Sequence, residues 1–156
     1  MKKKIKLWVV IPARSGSQTV KHKNVIKIKN LPLMAYTIIQ AKKINNVDNI
    51  VFTSDSKKYL AIAKKYGANL LHHRSKKNSS NTATDLDFFK ELIFFYKKKN
   101  YILPDAFIHL RPNCPTRNSP VLNKAVRFFS SNFKKYSAMR SVSKMSESSY
   151  KTFEIE

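Results

Sequence analysis

A short apolar run near the start of the chain changes abruptly into a polar and basic segment. Residues 7–11 (LWVVI) are apolar, Pro12 follows them, and residues 13–24 (ARSGSQTVKHKN) combine hydroxyl groups, one glycine and several cations. Fixed cations, hydroxyls and exposed backbone amides are the groups that bind polyanions such as a nucleoside triphosphate. The spacing differs from a Walker A loop, which needs two spaced glycines and a Gly-Lys-Ser/Thr ending. The segment therefore predicts a phosphate-binding loop, with a solvated basic loop as the alternative interpretation.

The same arrangement, an apolar strand followed by polar side chains, recurs along the chain. We predict strands at residues 7–11, 50–52, 69–71, 106–110 and 137–142. Helices are predicted between successive strands, and this alternation indicates a mostly parallel sheet with helices on both faces, a Rossmann-like three-layer α/β/α fold. Ligands of such sheets bind outside the carboxyl ends of the strands. The loop at 13–24 and the polar loops after the third and fourth strands all lie at such ends.

Local signals predict several helix ends. Asp55 or Ser56 is expected to cap the second helix, with Gly67 just after its last residue, and capping is the favoured role of Asp55. Ser119 followed by Pro120 predicts the start of the last helix, with the serine as its cap. The third helix is predicted to bury one stripe of apolar side chains: Leu86, Phe89, Leu92, Ile93 and Tyr96.

The charge of the chain is strongly unbalanced. Thirty-one Lys and Arg against nine Asp and Glu give a formal net charge of +22, which can indicate nucleic-acid binding. The lysines are spread in pairs over predicted outer helix faces, however, and a positive potential equally favours an anionic nucleotide. The single cysteine, Cys114, excludes an intrachain disulfide and fits a reducing compartment. No stretch reaches the length of a membrane span, so we expect a cytoplasmic protein without a membrane partner.

Three segments resemble the signatures of one enzyme family. PARSGS at 12–17, with Lys23 and Asn24, is similar to the first signature of the acylneuraminate (CMP-sialic acid synthetase-like) cytidylyltransferases, which activate acidic sugars. HHRSKKNSSNTATDLD at 72–87 resembles the segment with which that family contacts cytosine and ribose. RPNCPTR at 111–117 resembles a third signature, in which glutamine commonly stands where this chain has an arginine. Together these segments span nearly all of the chain.

The resemblance assigns roles to eight residues. It implies nucleotide binding by seven of them: Arg14, Ser17, Lys23, Asn24, Arg74, Ala83 and Asp85. Arg14 and Lys23 would also be catalytic, because they would neutralise charge that develops on the phosphates. Arg111 falls on the position that faces the acidic sugar, where it could form a bidentate pair with the sugar carboxylate. The implied reaction transfers CMP from CTP to a sialic acid-like nonulosonic acid and releases pyrophosphate. The implied fold is that of the nucleotide-diphospho-sugar transferases.

The resemblance also implies Mg²⁺ and a longer protein. The metal-binding aspartates of the family come from a later segment, so no metal ligand is expected in this chain. We expect residues 1–142 to form a nucleotide-binding domain that is truncated at its C-terminus, and residues 143–156 to begin the missing segment. This chain alone is therefore expected to be a poor catalyst or none. Full-length relatives are expected to be homodimers.

Two other interpretations stay open. A different nucleotide-sugar transferase of the same architecture would typically carry a glycine-rich first loop and an acid at the end of the fourth strand, where this chain has Arg111. A non-catalytic nucleic-acid-binding module would present exposed aromatics on a contiguous basic face. Most aromatic residues here follow core periodicities instead, so the cytidylyltransferase interpretation is favoured and nucleic acid is not an expected partner.

Overall fold

The computed structural model describes residues 5–17 and 19–142. The strands are β1 (Leu7–Pro12), β2 (Lys27–Ile28), β3 (Leu31–Pro32), β4 (Asn49–Ser54), β5 (Leu70–His73) and β6 (Ala106–His109). The α-helices are α1 (Leu33–Ala41), α2 (Lys57–Tyr66), α3 (Asp85–Lys98) and α4 (Ser119–Ser131). Two short 3₁₀ turns lie at Lys23–Val25 and Lys77–Ser79. The start of the proposed C-terminal segment, residues 143–156, lies outside the described residues.

Four strands form a parallel sheet in the order β5, β4, β1, β6. In the central strand Val9 lies opposite Ile50 on one side and Ile108 on the other. The strands β2 and β3 form a separate antiparallel ribbon that leads into α1. Because all four strands of the main sheet run the same way, their carboxyl ends lie along one edge. The predicted Rossmann-like parallel fold is confirmed.

Helices cover both faces of the sheet. Val9 and Ile11 point to the face covered by α1, α2 and α4, whereas Trp8 and Val10 point to the face covered by α3. This alternation is the period of two that a strand buried on both faces requires. The ring of Trp8 makes an edge-to-face contact with a tyrosine of α3, and the two ring centroids are 5.3 Å apart. The apolar run at 7–11 is therefore the centre of both cores.

The observed helix ends agree with the predicted ones at α2 and differ from them at α4. Ser56 caps α2 by accepting a hydrogen bond from Tyr59 N (3.3 Å), and Gly67 follows the helix with φ 111°, as predicted. Asn118, and not Ser119, caps α4, because its Oδ1 accepts from Val121 N at 3.2 Å. The prediction was wrong by one residue, since Asn and Ser are equally good caps and the proline is tolerated anywhere in the first turn.

Two other predictions need correction. Residues 137–142 form no strand and are exposed throughout. Their two large apolar residues, Met139 and Val142, are three positions apart, which is not strand periodicity, and they have no face to bury against. In α3 the buried residue of the first turns is Phe88, whereas Leu86 is 61% exposed. The helix begins one turn before the apolar stripe, so Leu86 lies on the outer face.

Candidate functional site

A cleft of ≈ 340 Å³ lies at the carboxyl edge of the sheet. It is bounded by the loop after β1, the loop after β5, the start of α3 and the loop after β6. Its lining includes all eight residues to which the sequence assigned a role: Arg14, Ser17, Lys23, Asn24, Arg74, Ala83, Asp85 and Arg111. The cleft also contains residues that were not singled out: Asn78, Ser80, Asn81, Thr84, Phe88 and Asn113. The structure thus brings together side chains that are up to 97 positions apart in the sequence.

The first wall of the cleft is the loop after β1. Asn24 is buried, and its Nδ2 donates to the carbonyl oxygen of Arg14 at 3.0 Å. The same loop is joined to the opposite wall, because Arg14 Nη1 donates to the carbonyl oxygen of Ser80 at 2.8 Å. Asn24 therefore shapes the loop through its backbone, while Arg14 and Lys23 contribute positive charge to the cleft. Residue 18 of this loop lies outside the described residues.

Asp55 has a different role from the one predicted. Its Oδ1 accepts a hydrogen bond from Ser15 N (2.8 Å) and its Oδ2 accepts one from Ser15 Oγ (2.7 Å). The capping of α2 is left to Ser56. Asp55 is at the carboxyl end of β4, next to β1 in the sheet, so it reaches the neighbouring loop more easily than the start of its own helix. The sequence could not show this contact, because it joins residues 40 positions apart.

Arg74 lies at the base of the cleft and is only 5% exposed. Its backbone N donates to the carbonyl oxygen of Ser54 at 2.9 Å, and its guanidinium carbon is 5.3 Å from the centroid of the Phe88 ring. Burial lowers the pKa of the guanidinium, and the carboxylates of Asp55 and Glu91 oppose that shift. Its Nε and Nη2 atoms are buried without a hydrogen-bond partner among the described residues. Such donors cost free energy until they are paired, so they favour a ligand that supplies acceptors.

The second wall of the cleft carries an ion pair. The guanidinium of Arg111 contacts the carboxylate of Asp85, and His109 Nδ1 lies 3.8 Å from the same carboxylate. Both partners of the ion pair are substantially exposed, at 59% and 46%. Burial lowers the pKa of His109, while Asp85 opposes this. Arg111 therefore has a carboxylate partner within the protein, which any incoming carboxylate would have to replace or share.

The loop after β6 is held by hydrogen bonds within it and by Gln40 of α1, whose Nε2 donates to the carbonyl oxygen of Pro115. The Arg117 side chain donates to the carbonyl oxygen of Cys114 at 2.9 Å and also to the carbonyl oxygen of Arg111. Cys114 is a free, exposed cysteine. The bonds from Arg117 close the loop into a turn, and this fixes the position at which Arg111 leaves the strand.

The described residues do not by themselves fit a Mg²⁺ site. Within residues 5–17 and 19–142 there is no group of three or more His, Cys, Asp or Glu placed to hold a metal ion. Asp55 accepts from Ser15, and Asp85, which lines the cleft, pairs with Arg111. Magnesium requires several oxygen ligands in near-octahedral geometry. We therefore assign no catalytic step to a metal held by these residues.

The helices in the described part of the chain were also assessed as membrane spans. None of them combines the length and the apolar character that crossing a bilayer requires.

Comparison with known proteins gives matches that extend over most of the chain. The family model for cytidylyltransferases matches residues 8–103. The N-acylneuraminate cytidylyltransferase of Escherichia coli O18:K1:H7 is 33% identical over 144 residues, which are 92% of this chain and 33% of that protein. A pseudaminic acid cytidylyltransferase of Campylobacter jejuni is 32% identical over 127 residues, which are 81% of this chain and 54% of that protein.

One of the matching solved structures is CMP:2-keto-3-deoxy-manno-octonic acid synthetase complexed with CTP. It is similar with a TM-score of 0.63 at 17% identity, over 80% of this chain and 47% of that chain, and this similarity concerns the fold. The chain thus spans one third to about half of the length of these three proteins.

Proposed function

Because this chain belongs to the cytidylyltransferase family, we propose that its cleft binds CTP and that it is the nucleotide-binding part of an enzyme that activates an acidic sugar. The reaction would form a bond from the anomeric oxygen of a sialic acid-like nonulosonic acid to the α-phosphorus of CTP. The bond between that phosphorus and the bridging oxygen of the β-phosphate would break, pyrophosphate would leave, and the proton of the anomeric hydroxyl would pass to solvent. The observation that carries the proposal is the meeting of eight residues, assigned from three separate segments, in one cleft.

The first loop would hold the triphosphate. Arg14 and Lys23 line the cleft as cations, and Ser17 adds a hydroxyl beside them. Charge-assisted hydrogen bonds to phosphate are roughly twice as strong as neutral ones. As the pyrophosphate departs, the same two cations would stabilise the negative charge that it takes with it. Asn24 would act by keeping the loop in shape, since its amide holds the Arg14 carbonyl.

The loop after β5 would read the base. Arg74 offers two buried donors without partners among the described residues, and cytosine carries acceptors at O2 and N3 that could pair with them. Phe88 lies beneath the guanidinium and keeps it in place. Ala83 and Asp85 follow on the same wall, where the ribose would lie.

Arg111 would bind the carboxylate of the sugar. It lines the same cleft as the first loop and is joined to Asp85. A planar guanidinium fits a carboxylate in a bidentate manner that glutamine cannot match. A sugar acid would thus replace the carboxylate of Asp85 at Arg111 with its own. This exchange lowers the net free energy gained on binding, but it selects against neutral sugars, which have no carboxylate to offer.

Location and assembly are part of the same proposal. A cytoplasmic location is supported by the free cysteine and by the proposed use of CTP. Homodimers are expected of full-length relatives, and the exposed apolar side chains of α4, among them Val121 at 63%, would suit such an interface. Magnesium would be held by carboxylates outside the described residues.

Calorimetry with the four ribonucleoside triphosphates at physiological salt tests the nucleotide part of the proposal. We expect CTP to bind more tightly than ATP, GTP or UTP. Equal affinity for all four would mean attraction by charge alone and would contradict the proposed function.

A further inference from the structure

The carboxylate of Glu91, on α3, organises a turn at the edge of the cleft. Its Oε1 accepts from Ser75 N at 2.7 Å, and its Oε2 accepts from Ser75 Oγ at 2.8 Å and from Asn78 Nδ2. Within the turn, Ser79 Oγ donates to the carbonyl oxygen of Ser75 at 2.9 Å. One side chain thus accepts from a backbone N–H, a hydroxyl and an amide of the same short segment. Among the described residues, the turn makes one further hydrogen bond to α3, in which the Asn78 amide donates to the Asp87 carbonyl oxygen at 3.5 Å.

Arg74 lies between two residues that Glu91 contacts. Ser75 follows Arg74 directly in the sequence. The buried His72 lies two residues before it, and its Nε2 is 3.6 Å from Glu91 Oε1. His72 Nδ1 is in turn 2.8 Å from Thr53 Oγ1 in the next strand. The backbone around Arg74 is therefore fixed both to the sheet and to α3. The guanidinium has no hydrogen bond at Nε or Nη2 among the described residues, so its direction depends on its contact with Phe88 and on these attachments of the backbone.

The charge of Glu91 is also maintained by its surroundings. Burial would raise the pKa of the carboxyl, but the hydrogen bonds from Ser75 and Asn78 outweigh burial and lower it below its ordinary value. Glu91 is one of only nine acids in the chain, against thirty-one cations. Its position behind Arg74 therefore places a negative charge next to a buried positive one.

We infer that Glu91 is a positioning residue for base recognition: it holds the turn at 75–79 and thereby aims Arg74 at the base of the bound nucleotide. The inference rests on the proposed CTP-binding function. It predicts a division of labour within the cleft. Glu91 governs the contribution of the base, whereas Arg14 and Lys23 govern the contribution of the phosphates. Asn24 holds the backbone of their loop at Arg14, although the Arg14 side chain also contacts the Ser80 carbonyl just after the turn.

Glu91→Gln tests the inference. A glutamine amide has one acceptor oxygen, so it cannot accept from Ser75 N, Ser75 Oγ and Asn78 together. We expect the dissociation constant of CTP to rise by about tenfold and the preference for CTP over UTP to shrink. The dissociation constant of inorganic tripolyphosphate, which has no base, should change less than about twofold. A general loss of structure would weaken the binding of both ligands. A change in the dissociation constant of CTP alone therefore distinguishes a positioning role of Glu91 from an effect on folding.

Two further variants complete the test. Asp105→Asn is the matched control, because Asp105 accepts a hydrogen bond from Lys6 N at 2.7 Å at the opposite edge of the sheet, and it should leave both ligands unchanged. Ser75→Ala removes one donor to Glu91 and keeps the backbone N–H. It should weaken CTP binding by about threefold, and it replaces Glu91→Gln if that variant does not fold.

The outcomes can be told apart. Suppose that the wild type prefers CTP and that both Glu91→Gln and Ser75→Ala keep its affinity and selectivity for CTP. That result would overturn the inference and leave the proposed function intact. A parallel loss of CTP and tripolyphosphate affinity would also overturn it. A wild type that binds all nucleotides equally would overturn the proposed function, and the inference with it, before any variant is made.

Discussion

Asp55 accepts two hydrogen bonds from Ser15, one from its backbone N and one from its hydroxyl, and so joins the carboxyl end of β4 to the loop after β1. We expect Asp55→Asn to weaken CTP and tripolyphosphate binding alike, by about tenfold, because the phosphate-binding loop loses an ionised acceptor. The adjacent Ser56→Ala is the control. It removes the cap of α2 and should cost about 1 kcal/mol of stability without changing phosphate affinity. Calorimetry and thermal unfolding of both variants distinguish these effects, and unchanged phosphate affinity in Asp55→Asn would contradict this role.

The cations of the cleft should contribute more to the free energy of CTP binding than the cations of the outer helix faces. Arg14→Ala and Lys23→Ala each remove a proposed charge-assisted contact to phosphate, which is worth roughly 1.5–3 kcal/mol. Lys64→Ala and Lys98→Ala remove exposed charges of α2 and α3, which contribute well under about 1 kcal/mol. Calorimetric titration with CTP compares the four. Small and equal losses in all of them would support binding by diffuse charge.

Substitutions of Arg111 and Asp85 should change the affinity for acidic sugars in opposite directions. Arg111→Gln removes the proposed carboxylate partner and should weaken binding of N-acetylneuraminic acid, measured with CTP present, by about tenfold. Asp85→Asn frees Arg111 from its internal partner and should strengthen the binding of this sugar. Neither change should alter stability by more than about 1 kcal/mol, because the ion pair is exposed. Changes of the same sign in both variants would show that Arg111 does not bind the sugar carboxylate.

The buried His72 predicts a loss of stability in mild acid. In the folded protein burial lowers its pKa from 6.5 to about 4, with Arg74 and His73 adding to the shift and Glu91 opposing it. The unfolded chain takes up a proton near pH 6.5, so between these two values it binds more protons and stability falls as the pH is lowered.

This effect is measured by denaturant unfolding at several pH values. Between pH 6.5 and about 4, wild type should lose up to about 3 kcal/mol more than His72→Gln. His73→Gln removes only a lesser contribution to the shift and leaves the burial of His72, so it should keep most of the wild-type pH dependence. Identical pH dependence in wild type and His72→Gln would mean that the histidine titrates normally in the folded protein.

The sequence predicted the parts of this fold that depend on local pattern. The apolar run at 7–11 indicated a short buried strand, and Gly67 indicated the end of α2. Both predictions are confirmed because each depends on a few adjacent residues. The strand predicted at 137–142 was wrong because strand formation requires a neighbour to pair with, and nothing local in the sequence supplies one.

The same distinction applies to the site. The motifs predicted which residues line the cleft, and the structure places them there, while their proposed roles stay predictions. The contacts between walls were not predictable, since Asp55 with Ser15, Glu91 with Ser75 and Arg111 with Asp85 join residues that lie 16 to 40 positions apart. Asp55, for example, was assigned to the start of its own helix, whereas the order of the strands decides which neighbouring loop it meets.

The central claim is that Arg74 reads the base of CTP, and side-chain NMR of arginine tests it most directly. Arg74 Nε is buried without a partner among the described residues, so pairing with a base should shift its Nε–Hε resonance, which Arg74→Lys would assign. We expect CTP to shift this resonance, whereas inorganic tripolyphosphate should shift the Arg14 resonance and leave that of Arg74 in place. An Arg74 resonance that CTP leaves unmoved, or that tripolyphosphate moves equally, would contradict this claim.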